Sequence, residues 1–439
     1  MNEGLQGYSG RTRRLLEEVG AEIGDEVEVR AGERAYRGIL MARYELADPD
    51  YVVIKLPNGY NIGIHISDVR EVRKIASAKK PRFAPPPRPP SKPGLPKVMV
   101  MSTGGTIASR VDYRTGGVRA AMTAEDLLSI VPELSDIADL DAKILFSLFS
   151  ENLTPSHWDE IAKEVDRLIR GGFEGVVITH GTDTMGYSAA ALSFALQKPP
   201  IPIVFVGAQR SSDRPSSDAA TNLIAAVKVA GHAPFAEVCV AMHAWHSDNV
   251  IAVHRGTRVR KLHTSSRDAF KSVNAEPIAY VMDGELKVNA RNLNPRGSDD
   301  YSFKPGFSSK AALVKFYPGM PAEILEFLVE SGYRGIILEG TGLGHVASSF
   351  IPTVRQLIEE GVFFGMTSQC IYGRANMRVY ETGRDLLKAG VVSLDDMLPE
   401  TAYVKLSWAL AHAGDLEEVR ELMLTQIAGE IGNRSMASG

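Results

Sequence analysis

The sequence predicts an α/β protein in three parts: a small N-terminal SH3-like β-barrel, a doubly wound parallel sheet, and a smaller C-terminal α/β domain. Three observations carry that prediction. Before position 77, apolar and polar residues alternate at period two, as in half-buried strands. The stretch 79–97 holds eight prolines and no acidic residue, so it can form neither helix interior nor central strand. Beyond it, short apolar runs alternate with helical periodicities, the pattern of strands covered by helices. The predicted boundaries are 1–76 for the barrel, 77–96 for a Pro-rich linker, 97–300 for the main domain and 301–439 for the last.

In the first part, residues 11–19 read as a short amphipathic helix with Leu15, Leu16 and Val19 on one face. From Asp25 the period changes, and Val27 and Val29 alternate with Glu26, Glu28 and Arg30. Further strand-like runs cover 36–44, 51–56 and 61–66, with Pro57, Asn58 and Gly59 marking a tight turn. Several short strands in so small a unit suit a barrel that docks onto a partner. The prolines that follow favour a semi-rigid polyproline II spacer.

The main domain opens with a strand at 98–101 that runs into Ser102, Thr103, Gly104, Gly105 and Thr106. Helical patterns follow at 123–130 and 158–169. A buried strand at 175–179 then leads into His180, Gly181, Thr182, Asp183 and Thr184, and a helix extends to 196. A strand at 203–206 and a helix at 219–230 continue the alternation. Ligands of a doubly wound sheet bind beyond the carboxyl ends of its strands, where both threonine-rich loops fall. The last domain repeats the texture: strands at 312–316, 334–338 and 363–368, helices at 322–329 and 353–360. Terminal helices follow at 399–410 and 416–426, the first with Pro399 in its opening turn.

Composition limits the function. A net charge of -4 argues against a dedicated nucleic-acid binder. Two distant cysteines, Cys239 and Cys370, make neither a disulfide framework nor a closed zinc site, so a reducing, cytoplasmic setting is expected. No apolar stretch approaches the roughly 20 residues that span a bilayer, so no membrane partner is expected. The first residues carry no apolar run of a signal peptide.

Three places could carry chemistry. Two glycines before Thr106 allow a tight turn and close approach of a ligand, although Thr106 could also be a plain helix cap. Thr182 and Asp183 stand at the end of a second buried strand, where either could be only a cap. Lys271 lies in a polar stretch. A lone lysine is ordinarily a solvated charge, and it matters only if it reaches the two loops. A desolvated lysine held by an aspartate can then activate a hydroxyl.

At these residues the chain resembles the asparaginase/glutaminase family. TGGTIA at 103–108, ITHGTDTM at 178–185, VGAQR at 206–210 and FKSVN at 270–274 match its motifs in order and spacing. The resemblance implies Thr106 as nucleophile with Tyr113 on a lid beside it. It implies a second hydroxyl unit of Thr182, Asp183 and Lys271, and a substrate pocket of Ser150, Glu151 and Asp183. The implied reaction is an acyl-enzyme hydrolysis of glutamine or asparagine, with no metal and no cofactor on this chain. Two positions depart from the family: Glu151 stands where glutamine is common, and the loop 340–345 lacks an asparagine that many relatives contribute across protomers. Glu381 is a candidate for that contact from a neighbouring protomer.

The N-terminal extension narrows the resemblance to the D-subunit family of archaeal glutamyl-tRNA(Gln) amidotransferases. It implies a homodimeric core within a heterotetramer, and a partner, the E-subunit, that holds ATP and Mg²⁺ and makes most contacts to Glu-tRNA(Gln). The alternative is a free-standing L-asparaginase with an extra N-terminal domain. Rival classes fit less well. Gly340, Gly342 and Gly344 lack the dinucleotide-binding spacing. His243, His246, His254 and His263 lack a metal-site frame, so hydrogen-bonded roles are expected. A decayed, non-catalytic adaptor is opposed by the intact set of Thr106, Thr182, Asp183 and Lys271.

Overall fold

A computed structural model describes residues 5, 7–43, 48–77, 92–105, 109–111, 118–120, 123–210 and 216–434, with 109–111 and 118–120 as backbone alone. Most of the expected linker therefore lies outside the described residues. The chain divides into two compact units, one holding residues 1–86 and the other most of the remainder.

In the first unit, five antiparallel strands form one curled sheet in the order Asn61–His65, Tyr51–Lys55, Arg34–Leu40, Glu26–Ala31, Val69–Ala76. Val27, Val29, Leu40, Val52, Ile54, Ile64 and Val72 come from all five strands and share one core. The helix Gly10–Glu18 adds Leu16 to it. This is the small open barrel that the period-two alternation predicts.

The second unit is built on an eight-stranded sheet. Its parallel half runs Asp139–Leu148, Lys97–Gly104, Gly175–Thr179, Ile203–Val206, Val238–His243. In chain order these strands are second, first, third, fourth and fifth, so the order reverses between Lys97–Gly104 and Gly175–Thr179. A crevice opens at such a reversal, because the connections on its two sides cross to opposite faces of the sheet. Alternate residues of the strands divide accordingly. Val98, Val100, Val177 and Val204 pack with the helices Ala124–Ile130 and Ala219–His232. Met99, Met101, Ile178 and Phe205 pack with Pro155–Arg170 and Met185–Ala195.

The other three strands, Val250–Arg255, Ala279–Met282 and Glu285–Val288, extend the sheet antiparallel. The doubly wound expectation holds for the parallel part of the sheet, and the antiparallel edge is an addition to it. A four-stranded parallel sheet, Ala311–Lys315, Gly335–Gly340, Phe363–Ser368, Val392–Ser393, forms the C-terminal part. The helix Pro399–His412 packs its buried Trp408 and Leu406 with Phe194 and Ala191 of Met185–Ala195, so both parts share a core. No helix of the described residues is long and apolar enough to cross a membrane.

Candidate active site

The two threonine-rich loops meet at the reversal. Ser102 pairs in parallel register with Thr179, and Thr103 Oγ1 donates to the Thr179 carbonyl at 3.0 Å. Gly104 and Gly105 then take φ values of +128° and +77°, backbone that a side chain would strain. A Cβ on Gly105 would stand 3.0 Å from Gly181 N. The glycine pair thus lets the first loop run directly against the second. Thr106 and Tyr113 lie outside the described residues, but the backbone that leads to Thr106 already touches the turn at 180–181.

The second loop is fixed from beneath. His180 is buried and bonds Gly181 O through Nδ1 at 2.6 Å and Ser188 Oγ through Nε2 at 2.8 Å. Because the carbonyl can only accept, Nδ1 carries the proton and Nε2 accepts from the Ser188 hydroxyl. Burial pushes the imidazole down to about 4, against the opposing pull of the Gly181 carbonyl, so it is neutral near pH 7. Thr184 Oγ1 donates to the Ser150 carbonyl at 2.7 Å. Ser150 is buried, and Gly181 is needed beside it, since a Cβ there would lie 2.8 Å from Ser150 Oγ. Glu151, its neighbour, is exposed.

Lys261 completes the arrangement. Its Nζ donates to Thr182 Oγ1 and to Asp183 Oδ1, both at 2.8 Å. The lysine side chain is only 14% exposed, whereas that of Asp183 is 71% exposed and faces solvent. A cation held out of water by a carboxylate and a hydroxyl is suited to lowering the cost of an alkoxide on that hydroxyl.

Lys271 was expected in this position and does not occupy it. Its Nζ donates instead to the Ala244 carbonyl and to Asp268 Oδ2, each at 2.9 Å. Burial works to raise the Asp268 carboxyl, but hydrogen bonds from Ser266 and Lys271 outweigh it and hold it down at about 2. Register explains the exchange. Strands Val259–Lys261 and Phe270–Ser272 pair antiparallel with Lys261 opposite Phe270 and Arg260 opposite Lys271. Neighbours along a strand point to opposite faces, so the two lysines leave the ribbon on opposite sides. In the sequence, Lys261 is one of three basic residues within 258–261, and only the cross-strand register singles it out.

The remaining candidates disperse. Glu381 is the exposed first residue of the helix Glu381–Ala389. Gly340, Gly342 and Gly344 belong to a tight loop in which Thr341 and His345 form an antiparallel bridge. His243 bonds Asn222 and Asp248, while His254 bonds Ser272.

The chain is similar to known proteins over nearly all of its length. Residues 97–294 match the model of the asparaginase N-terminal domain, 310–423 that of the glutaminase/asparaginase C-terminal domain, and 21–75 that of the GatD N-terminal domain. The chain is 52% identical to the D-subunit of glutamyl-tRNA(Gln) amidotransferase from Thermofilum pendens, over 98% of this chain and 97% of that one. The chain belongs to the D-subunit family. The D-subunit of Pyrococcus furiosus is likewise 52% identical, over 96% of this chain and 97% of its own. The thermostable L-asparaginase of Thermococcus kodakarensis superposes with a TM-score of 0.69 at 34% identity, covering 77% of this chain and 100% of that one. L-asparaginase I of Vibrio cholerae gives 0.67 at 27% identity, over 77% of this chain and 99% of that one. Family membership makes the chain the asparaginase-type component of a tRNA-dependent amidotransferase, with two asparaginase-type domains following a GatD-type N-terminal domain in sequence.

Proposed function

We propose that the chain hydrolyses the side-chain amide of glutamine or asparagine through a threonine acyl-enzyme and supplies the ammonia to a partner that converts Glu-tRNA(Gln) to Gln-tRNA(Gln). The observation that supports this most is Lys261 joined to Thr182 and Asp183 at the sheet's reversal, against the loop that leads to Thr106.

In this reading Thr106 Oγ attacks the amide carbonyl, with Tyr113 beside it. The C–N bond breaks as the new C–O bond forms, and the proton released by the Thr106 hydroxyl ends on the leaving nitrogen, which departs as ammonia. Water then hydrolyses the ester. Lys261, charged while it donates to Asp183, favours the ionised form of the Thr182 hydroxyl, which acts as the second hydroxyl of the site. Backbone N–H groups of the 181–183 turn stabilise the oxyanion. Ser150 suits the substrate's α-carboxylate and Asp183 its α-ammonium, with Glu151 at the rim. The chain uses no metal or other cofactor. ATP and Mg²⁺ belong to the partner E-subunit, which also makes most of the contacts to tRNA. A homodimer of this chain forms the core of a cytoplasmic heterotetramer.

Ammonia release from glutamine and from asparagine tests this, measured on the chain alone and then with the E-subunit, ATP, Mg²⁺ and Glu-tRNA(Gln). Slow release that rises with partner and charged tRNA is expected. Fast release, indifferent to both, would make the chain a free-standing L-asparaginase.

A further inference from the structure

The wall behind Thr182 is Gly207. A Cβ there would lie 2.8 Å from Thr182 Cγ2 and 3.0 Å from the His180 carbonyl. Gly207 is in turn held by buried polar side chains. Asn222 donates from Nδ2 to the Gly207 carbonyl and to Asp218 Oδ2, both at 3.0 Å. Asp218 also accepts the backbone N–H groups of Gln209 at 3.0 Å and Arg210 at 2.9 Å. With its amide hydrogens committed, Asn222 offers Oδ1 to His243 Nδ1 at 2.6 Å, so that ring nitrogen is the donor. His243 Nε2 reaches Asp248 Oδ1 at 3.0 Å, and Arg267 holds Asp248 at 2.7 Å.

Asp218, Asn222 and His243 are completely buried, whereas the Asp248 side chain is 61% exposed. The relay therefore runs from the surface to the back of Thr182. A buried polar chain costs more than an apolar filling unless every member is bonded, but when satisfied it fixes a single arrangement. Here the fixed element is the 207–210 segment.

We propose that Asn222 and His243 are positioning residues, which set the 207–210 segment and through Gly207 the orientation of Thr182, with Asp248 and Arg267 as the outer anchor. Neither touches substrate. The catalytic consequence rests on the role given to Thr182 above. The placement of the segment does not.

Two variants test the relay. His243→Gln offers a single amide nitrogen in place of two opposed ring nitrogens and cannot bridge both partners, and Asp248→Ala cuts the outer end at the surface. Both are measured for kcat and KM of ammonia release and for hydrogen–deuterium exchange at the Gln209 and Arg210 amides. In His243→Gln, kcat is expected to fall about 10- to 100-fold with KM within about threefold, since a displacement near 1 Å costs that much. Both amides should exchange faster. Asp248→Ala should move both readouts the same way by less, and it decides the matter if His243→Gln does not fold. Unchanged exchange in folded variants overturns the proposal, as does faster exchange with unchanged kcat. If the wild-type chain releases no ammonia under any condition, the hydrolase reading falls, and the exchange rates alone then decide the relay.

Discussion

Lys261 matters because of what surrounds it. Among the described residues, a carboxylate and a hydroxyl hold its ammonium, and little water reaches it. Replacing it with methionine should lower kcat for ammonia release about 10²- to 10³-fold, the usual cost of removing one charge-stabilising donor. Lys271→Met should stay within about threefold, because that lysine serves Asp268 and Ala244. The reverse ranking would return the role to Lys271. His180 gives a second prediction. Unfolded, a histidine takes its proton near 6.5, but folded His180 takes it only at about 4. Between those values the unfolded chain binds the extra proton, so acid favours unfolding. The stabilising contribution is complete above the unfolded value. It declines as pH falls, by at most about 1.4 kcal/mol per unit. His254, pushed to about 3 by burial and by the Lys271 charge, acts in the same direction. Melting temperatures from pH 7 to 4 should fall less steeply in His180→Asn than in the wild type, and parallel curves would refute the assignment.

Loops and strands set what those residues can reach. Gly207 gives the sharpest case. An alanine there would press on Met185 Cε, 2.6 Å away, and on Thr182 Cγ2. Methionine can swing aside, but a β-branched threonine has little rotamer freedom. Gly207→Ala should therefore cost about 1–3 kcal/mol of stability and also lower kcat, read by thermal unfolding and ammonia release together. Lost stability with full activity would show that Thr182 does not bear the strain. The strands Gly175–Thr179, Ile203–Val206 and Phe363–Ser368 were legible to the residue, since each is a continuous run buried on both faces. Asp139–Leu148 was not. It carries Asp139, Asp141 and Lys143, and as an edge strand it needs only part of its length buried. The antiparallel strands Val250–Arg255 and Ala279–Met282 also escaped, because no helix separates them to mark the alternation.

Across the second unit, the C-terminal segment is joined to the rest through a buried ion pair. Lys405 Nζ contacts Glu430 Oε1 at 2.5 Å, with both side chains fully buried. Glu430 also accepts the Ile427 and Ala428 N–H groups. Thr257 Oγ1 and Arg258 Nε donate to the carbonyls of Ala428 and Gly429, just before the strand that carries Lys261. Lys405→Met leaves Glu430 buried and unpaired, which should cost about 3–5 kcal/mol. The double variant Lys405→Met, Glu430→Gln should cost less, as denaturant unfolding would measure. Equal losses would mean that packing, rather than the orphaned charge, sets the penalty.

Local periodicity and motifs contiguous in the chain were enough for the α/β class, the small N-terminal barrel, both glycine-threonine turns and the family. The same signals placed Thr182 and Asp183 at the end of a buried strand. Which lysine meets them was settled only by the folded chain. Lys261 and Lys271 sit on paired strands one residue out of step, and a one-residue offset reverses the face from which a side chain leaves. The two strands are near neighbours in sequence, but the groups they carry the lysines to, Thr182 and Asp183 for one and Ala244 for the other, lie far along the chain, so no local window of sequence holds the choice.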